Sequence, residues 1–158
     1  PPASAEQLHF TAPEGWIQET PSSPMRRVQY RLPGAPVGSG DADLAIFVFP
    51  GTGGGVDANL QRWVQQFSNP DGSPATEQAE VRRTEVGGMR VSMLDISGTY
   101  DPGVMAGGTG AQQNFRMLAA VVEAPADPWF IKLTGPIPTI DYWERSFHAF
   151  VESFHLPH

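Results

Sequence analysis

Three charged side chains interrupt apolar stretches of the sequence, namely Asp95, Arg116 and Lys132. In each stretch the residues two positions away are mostly apolar, which predicts a β-strand with the charge on the same face as those neighbours. The same-face neighbours are Val91 and Met93 for Asp95, Leu118, Ala120 and Val122 for Arg116, and Phe130 and Thr134 for Lys132. A charge in such a position seldom lies beneath a helix unless a partner neutralises it.

Two interpretations of these charges stay open. In the first, the three residues pair with one another or reach the margin of the sheet, and their role is structural. In the second, Asp95, Arg116 and Lys132 line a small polar cleft with Tyr100 and Arg62, which would make the five residues a ligand- or partner-binding site. Alternation does not decide between them, because a β-bulge would shift its parity.

No catalytic residues are predicted. The sequence has no G-x-S-x-G nucleophile motif, and the spacing of its serines, histidines and aspartates suggests no catalytic triad. A glycine-rich run at 51–55 leads from a predicted strand into a predicted helix, where phosphates often bind. That run continues with Val56 and Asp57 rather than Lys-Ser or Lys-Thr, and a carboxylate there would repel phosphate. The run is therefore interpreted as a tight entry into the helix, and no cofactor is predicted.

No metal site is predicted either. Asp41 and Asp43 form a D-x-D pair in a glycine-rich loop, but calcium needs six or more oxygen ligands and no other acidic residues are nearby in sequence. His155 and His158 have an H-x-x-H spacing that is interrupted by a proline close to the end of the sequence. His148 lies between two glutamates at i±4 on a predicted helix, so a solvated charge pair explains it.

Composition narrows the classes of function. The sequence has 158 residues, no cysteine and a formal net charge of −7, with Lys132 as its only lysine beside nine arginines. An acidic chain with scattered arginines lacks the basic surface that nucleic-acid binding requires, and attraction to anionic lipids is disfavoured for the same reason. A membrane association is expected only through a lipid anchor outside this segment, since no apolar run approaches the length of a transmembrane helix.

The elements are predicted from hydrophobic periodicity and turn residues. Apolar residues at helical spacing predict one helix over 56–67 and another over 139–154, the second with Thr139 as its N-cap. Gly87-Gly88 predicts a hairpin turn between two strands. The remaining strands are predicted at 8–10, 25–32, 44–49, 77–86, 89–100, 114–124 and 129–134. This order predicts an α+β fold with an antiparallel sheet of about six to seven strands and two amphipathic helices packed on it.

Residues 1–7 are expected to be a disordered stub, and 8–158 one domain. The stub could be a mature N-terminus after cleavage, a trimmed segment or the tether below a lipid anchor.

The order and lengths of these elements resemble the PsbP-like fold, which is shared by the extrinsic subunit of photosystem II and the Ran-binding Mog proteins. Three stretches are also similar to a group of uncharacterised exported bacterial proteins, many of them lipoproteins. They read GGVDANLQRW at 54–63, DISGTY at 95–100 and WFIKLTGP at 129–136. The resemblance covers residues 14 to 155 and implies an α/β/α sandwich. It carries no activity, because this fold hosts unrelated roles.

The leading hypothesis is a non-enzymatic exported domain, periplasmic or on the cell envelope, that binds a partner protein or a small ligand. The glycine-rich loop at 101–113 is the predicted contact surface, because loops on a rigid scaffold often carry binding. The alternatives are a small enzyme or a metal-binding module that uses a polar cleft around Asp95, Arg116 and Lys132. The sequence does not predict an oligomeric state.

Overall fold

The computed structural model describes residues 8–48, 55–101, 111–125 and 127–156 of the chain. These residues form eight β-strands, two α-helices and one short 3₁₀ turn at Thr76–Gln78. The strands are β1 (Ile17–Glu19), β2 (Val28–Leu32), β3 (Ala42–Val48), β4 (Phe67–Ser68), β5 (Glu80–Val86), β6 (Met89–Tyr100), β7 (Gln112–Val122) and β8 (Trp129–Pro136). The helices are α1 (Val56–Val64) and α2 (Ile137–Glu152).

All eight strands belong to one antiparallel sheet. Its order is β1-β2-β3-β8-β7-β6, and both β4 and β5 pair with β6. The 12-residue strand β6 is long enough for two partners, so β5 pairs with its first half and β4 with its last two residues. Strand β8 occupies the middle of the sheet, because it returns beside β3 after the hairpin formed by β6 and β7.

Each face of the sheet is covered by one helix. Successive residues of a strand point to opposite faces, so β6 divides its apolar side chains between two cores. Leu94 and Ile96 pack with Leu60 of α1, whereas Val91 packs with Phe147 of α2. The result is the predicted helix–sheet–helix sandwich, with α2 resting mainly on β7 and β8.

The predicted hairpin turn is confirmed, whereas the second helix begins at a different residue. Gly87 and Gly88 form the turn between β5 and β6 with φ of 58° and 83°, backbone values that glycine adopts without strain. Helix α2 begins two residues earlier than predicted, at Ile137, and Thr139 is therefore not its N-cap. The Thr139 hydroxyl instead donates to the Gly40 carbonyl at 2.7 Å and ties the helix to the β2–β3 loop.

The sheet has more strands than predicted because two very short strands cannot be detected from the sequence. Strand β1 has three residues and β4 has two, and a segment this short shows no periodic pattern. The helical spacing predicts Phe67 in the first helix, but α1 ends at Val64 and this buried side chain belongs to β4. The strand expected at 8–10 is reduced to a single bridge between His9 and His155.

The predictions made for residues 1–7, for the glycines at 51–54 and for most of the loop at 101–113 fall outside the described residues. The H-x-x-H pair also cannot be placed, because residue 158 lies outside them.

Candidate functional site

The structure divides the five predicted site residues between the two faces of the sheet. Asp95 and Arg116 lie on the face covered by α2, whereas Tyr100 and Lys132 lie on the face covered by α1. Arg62 is an exposed residue of α1 whose guanidinium donates to the side chain of Asn59. The prediction that Asp95, Arg116 and Lys132 line one cleft is therefore wrong.

The register of β7 and β8 explains the error. Lys132 lies directly opposite Ala119, which points toward α1, and not opposite Leu118, which shares the face of Arg116. Alternation within each strand was assigned correctly, but the faces of two different strands are related only through their pairing.

Arg116 sits at the centre of an arginine cluster with Asp95, Asp141 and Glu144. Its guanidinium binds Asp95 through two parallel hydrogen bonds, Nε to Oδ1 at 2.9 Å and Nη2 to Oδ2 at 2.7 Å. Its remaining terminal nitrogen, Nη1, reaches two residues of helix α2, Asp141 at 2.6 Å and Glu144 at 3.1 Å. The interpretation that charges in the sheet pair with one another is confirmed for Asp95 and Arg116.

The arginine cluster fastens helix α2 to the sheet. The Arg116 side chain is only 11% exposed, and its hydrogen bonds to Asp95 and then to Glu144 raise its pKa above the usual value. A bidentate guanidinium–carboxylate pair is a strong and geometrically specific contact. All four hydrogen bonds that the structure records for the Arg116 guanidinium go to carboxylates of this chain, which makes the arginine cluster a contact between the helix and the sheet.

The second group, the lysine site, consists of Lys132, Tyr100 and Gln66 on the α1 face. The Lys132 ammonium lies 5.5 Å from the centre of the Tyr100 ring, which is cation–π distance, and 3.4 Å from the Gln66 side-chain oxygen. The Tyr100 ring stacks on Phe115 at a centroid distance of 6.0 Å and an angle of 8°, so an aromatic wall holds it in place. Lys132 is partly buried and occupies the central strand β8.

The ionisation of the lysine site differs from that of an exposed lysine. Burial and, to a smaller extent, the positive charge of Arg26 lower the pKa of Lys132 to about 8, while the negative charge of Asp43 opposes the shift. Burial also raises the pKa of Tyr100 to about 12. At neutral pH the lysine thus carries a positive charge in a poorly solvated place, beside a tyrosine that keeps its proton.

An ion pair flanks the lysine site on its sheet side. Arg26 Nη1 donates to Asp43 Oδ1 at 2.9 Å and to the Gln29 side-chain oxygen at 3.1 Å. Asp43 is therefore a residue of β3 that is engaged with an arginine, and not a member of a loop D-x-D pair as the sequence suggested. Within the described residues no carboxylate lies within 4.0 Å of the Lys132 ammonium.

Sequence reasoning missed the partners contributed by other elements, Gln66, Asp141 and Glu144. Asp141 and Glu144 are three residues apart on one helix, a spacing that presents both carboxylates to one side. That spacing was visible in the sequence, whereas nothing in the sequence connects Gln66 with a residue 66 positions later.

The described residues contain no group of three or more histidines, aspartates or glutamates placed to hold a metal ion. No helix among them is long and apolar enough to cross a bilayer.

The fold and the two charged sites define an antiparallel α+β sandwich with an arginine bound by carboxylates on one face and a partly buried lysine on the other. No protein-family model matches the chain, and no curated protein matches it. Solved structures do. The chain is similar to cyanobacterial PsbP (CyanoP) from Synechocystis, with 17% identity, a TM-score of 0.57, and 95% of this chain and 86% of that chain covered.

It is also similar to LpqN, a Mycobacterium tuberculosis protein described as involved in cell envelope biogenesis. That match has 12% identity and a TM-score of 0.57, and it covers 95% of this chain and 83% of that chain. A Pseudomonas aeruginosa protein of unknown function matches with 11% identity and a TM-score of 0.54, over 90% of this chain and 97% of that chain. The chain has the PsbP-like fold, as its sequence predicted.

Proposed function

We propose that this chain is a non-enzymatic, exported domain of the cell envelope that binds the anionic group of a small ligand at the lysine site. The observation that carries the proposal is a partly buried lysine ammonium that contacts the face of a tyrosine and one amide oxygen. Removing a charge from water without an ion-pair partner is unfavourable, and a bound anion would offset that cost.

The surroundings favour a ligand with an apolar body as well as an anionic group. Tyr100 and Phe115 stack on each other beside the lysine, and Trp63 of α1 packs into the same cluster. Binding sites for small molecules commonly combine apolar and aromatic walls with a few polar groups that fix orientation. A monocarboxylate with a hydrophobic or aromatic portion has this combination.

The non-enzymatic part of the proposal rests on how the charges are distributed. The enzyme hypothesis required Asp95, Arg116 and Lys132 to act together, and the sheet separates Lys132 from the other two. The localisation rests on the PsbP-like fold and on LpqN, whose description places it in envelope biogenesis. A metal-binding role has no supporting cluster among the described residues.

The ligand proposal is tested by thermal unfolding of the chain with a panel of aromatic and aliphatic monocarboxylates. At least one of these carboxylates should raise the melting temperature of the chain. The same compound should not change the melting temperature of Lys132→Met, because this variant keeps the apolar stem and loses the charge. Arg90→Met is the matched control, since Arg90 is an exposed cation away from the lysine site. A panel that stabilises the chain and Lys132→Met equally would contradict the assignment.

The localisation is tested separately by expressing the complete natural gene with a C-terminal tag and fractionating the cells. We expect the tagged protein in the periplasmic or envelope fraction. Recovery in the cytoplasmic fraction, with a periplasmic marker correctly exported, would refute the envelope assignment without affecting the ligand site.

A further inference from the structure

A groove opens on the α2 face of the sheet, on the opposite side from the lysine site. Its floor is apolar and includes Met93, Leu118 and Phe147. The carboxylates of Asp95 and Glu144 stand on its rim together with Glu80. The empty space, including the part open to solvent, is about 420 Å³.

The groove exists because one helix is too narrow to cover this face. Helix α2 packs mainly on β7 and β8, and β5 lies beyond it at the far side of β6. Six of the seven residues of β5 are exposed, all except Val86. The register places Glu80 directly opposite Asp95, and Asp95 opposite Leu118, so the acidic rim and the apolar floor lie in one row across three strands.

The charges around the groove do not cancel. The residues that line the groove include three carboxylates, Glu80, Asp95 and Glu144, and two basic residues, Arg82 and His148. Arg116 binds two of these carboxylates, so with the histidine neutral the groove keeps one net negative charge. Asp141, which also binds Arg116 but does not line the groove, adds a second negative charge nearby. Glu80 and Asp95 lie directly opposite each other on neighbouring strands, a placement that is unfavourable for two like charges. Arg116 already binds Asp95, and a further cation between Glu80 and Asp95 would be attracted by both carboxylates.

We infer that this groove binds a lysine or arginine side chain presented by a segment of a partner protein. Such a side chain has an apolar stem that can lie over Met93 and Phe147 and a cationic head that can reach the carboxylates of Glu80 and Asp95. A bare metal ion would leave the apolar floor unused. A cationic side chain matches both the charge of the rim and the chemistry of the floor.

The probe is a blocked tetra-lysine peptide, titrated at low salt into the whole chain carrying ¹³C-labelled methionine methyl groups. Met93 reports on the floor of the groove, and Met117, buried on the opposite face, reports on unrelated changes. We expect the Met93 methyl resonance to shift in a saturable way while that of Met117 does not move. A tetra-glutamate peptide should produce no shift at Met93.

Charge reversal on β5 supplies matched variants. Glu80 points toward the groove, whereas Glu85 lies on the same strand with its side chain toward the other face. We expect Glu80→Lys to weaken peptide binding about fivefold or more, and Glu85→Lys to change it by less than about twofold, because the distant charge is screened. Glu80→Gln should lie between them, and it serves if the reversal perturbs folding.

Three results would overturn the inference. The first is a Met93 methyl resonance that does not shift at peptide concentrations at which the shifts of other resonances have reached a plateau. The second is equal weakening by Glu80→Lys and Glu85→Lys, which would mean general attraction to an acidic chain. The third is a shift of Met93 by spermidine as large as that by the peptide at equal amine concentration, which would indicate a site for free polyamines instead of a protein segment.

Discussion

Lys132 should make the stability of this protein increase with pH in the alkaline range. The pKa of Lys132 is about 8 in the folded chain. In the unfolded chain it has the ordinary value of 10.5 for a solvated lysine. Between these values the unfolded chain binds more protons than the folded chain, so the free energy of unfolding rises as pH rises. The burial that lowers the pKa of Lys132 is therefore a cost that is present at neutral pH and disappears when the lysine loses its proton.

The magnitude follows from the difference in pKa. One pKa unit corresponds to about 1.4 kcal/mol, so the whole difference corresponds to about 3 kcal/mol. About 2 kcal/mol of this falls between pH 7 and pH 9.5. The upper limit is chosen because burial raises the pKa of Tyr100 to about 12, and ionisation of tyrosine in the unfolded chain would destabilise the protein above pH 10.

The assay is urea unfolding at pH 7, 8.25 and 9.5 for the chain and for Lys132→Met. The chain should gain about 2 kcal/mol relative to the variant across this range, and the two curves should approach each other at the alkaline end. Subtracting the variant removes contributions from other titrating groups. A chain and variant with parallel curves would show that Lys132 is solvated, which would also remove the physical basis of the lysine site.

Other variants test the remaining features. Arg116→Met should destabilise the protein by about 3 kcal/mol in urea unfolding, because it leaves three carboxylates facing one another without their cation. Arg116→Lys should recover less than half of that loss, since an ammonium cannot make the two parallel bonds to Asp95; full recovery would contradict the bidentate role. Gly135→Ala should cost about 1–3 kcal/mol, because the new Cβ would lie 2.7 Å from the Ala42 Cβ on the paired strand. An unchanged melting temperature for Gly135→Ala would mean that β3 moves away freely.

The parts of the fold that sequence predicted well are those with long periodic patterns. The hairpin of β5 and β6 has a two-glycine turn, and α2 has an apolar stripe over four turns, so each is specified locally. Strands β1 and β4 are specified by their partners, because three and two residues carry no period of their own. The end of α1 was misplaced for a related reason, since Phe67 continues the helical spacing but lies buried in β4.

The candidate site shows the same limit more sharply. The sequence identified Asp95, Arg116 and Lys132 as charges that the core must accommodate, and it predicted their neighbours on each strand correctly. It could not assign the three strands to common faces, because that requires the register of β7 against β8. The identity of the residue two positions away can be read from the sequence. The identity of the residue on the neighbouring strand depends on how the strands pair in the folded sheet.

Arg116 and Lys132, the two cationic residues in the middle of the sheet, have different kinds of partners, and this difference is relevant to function. Arg116 receives three carboxylates from β6 and α2, an arrangement that satisfies a buried charge and fixes a helix. The Lys132 ammonium contacts only the face of Tyr100 and the side-chain oxygen of Gln66 among the described contacts. A methionine in its place would fill similar volume without a charge to desolvate. If stability alone determined this position, an apolar residue would serve better, and this contrast supports the proposal that the ammonium binds a ligand.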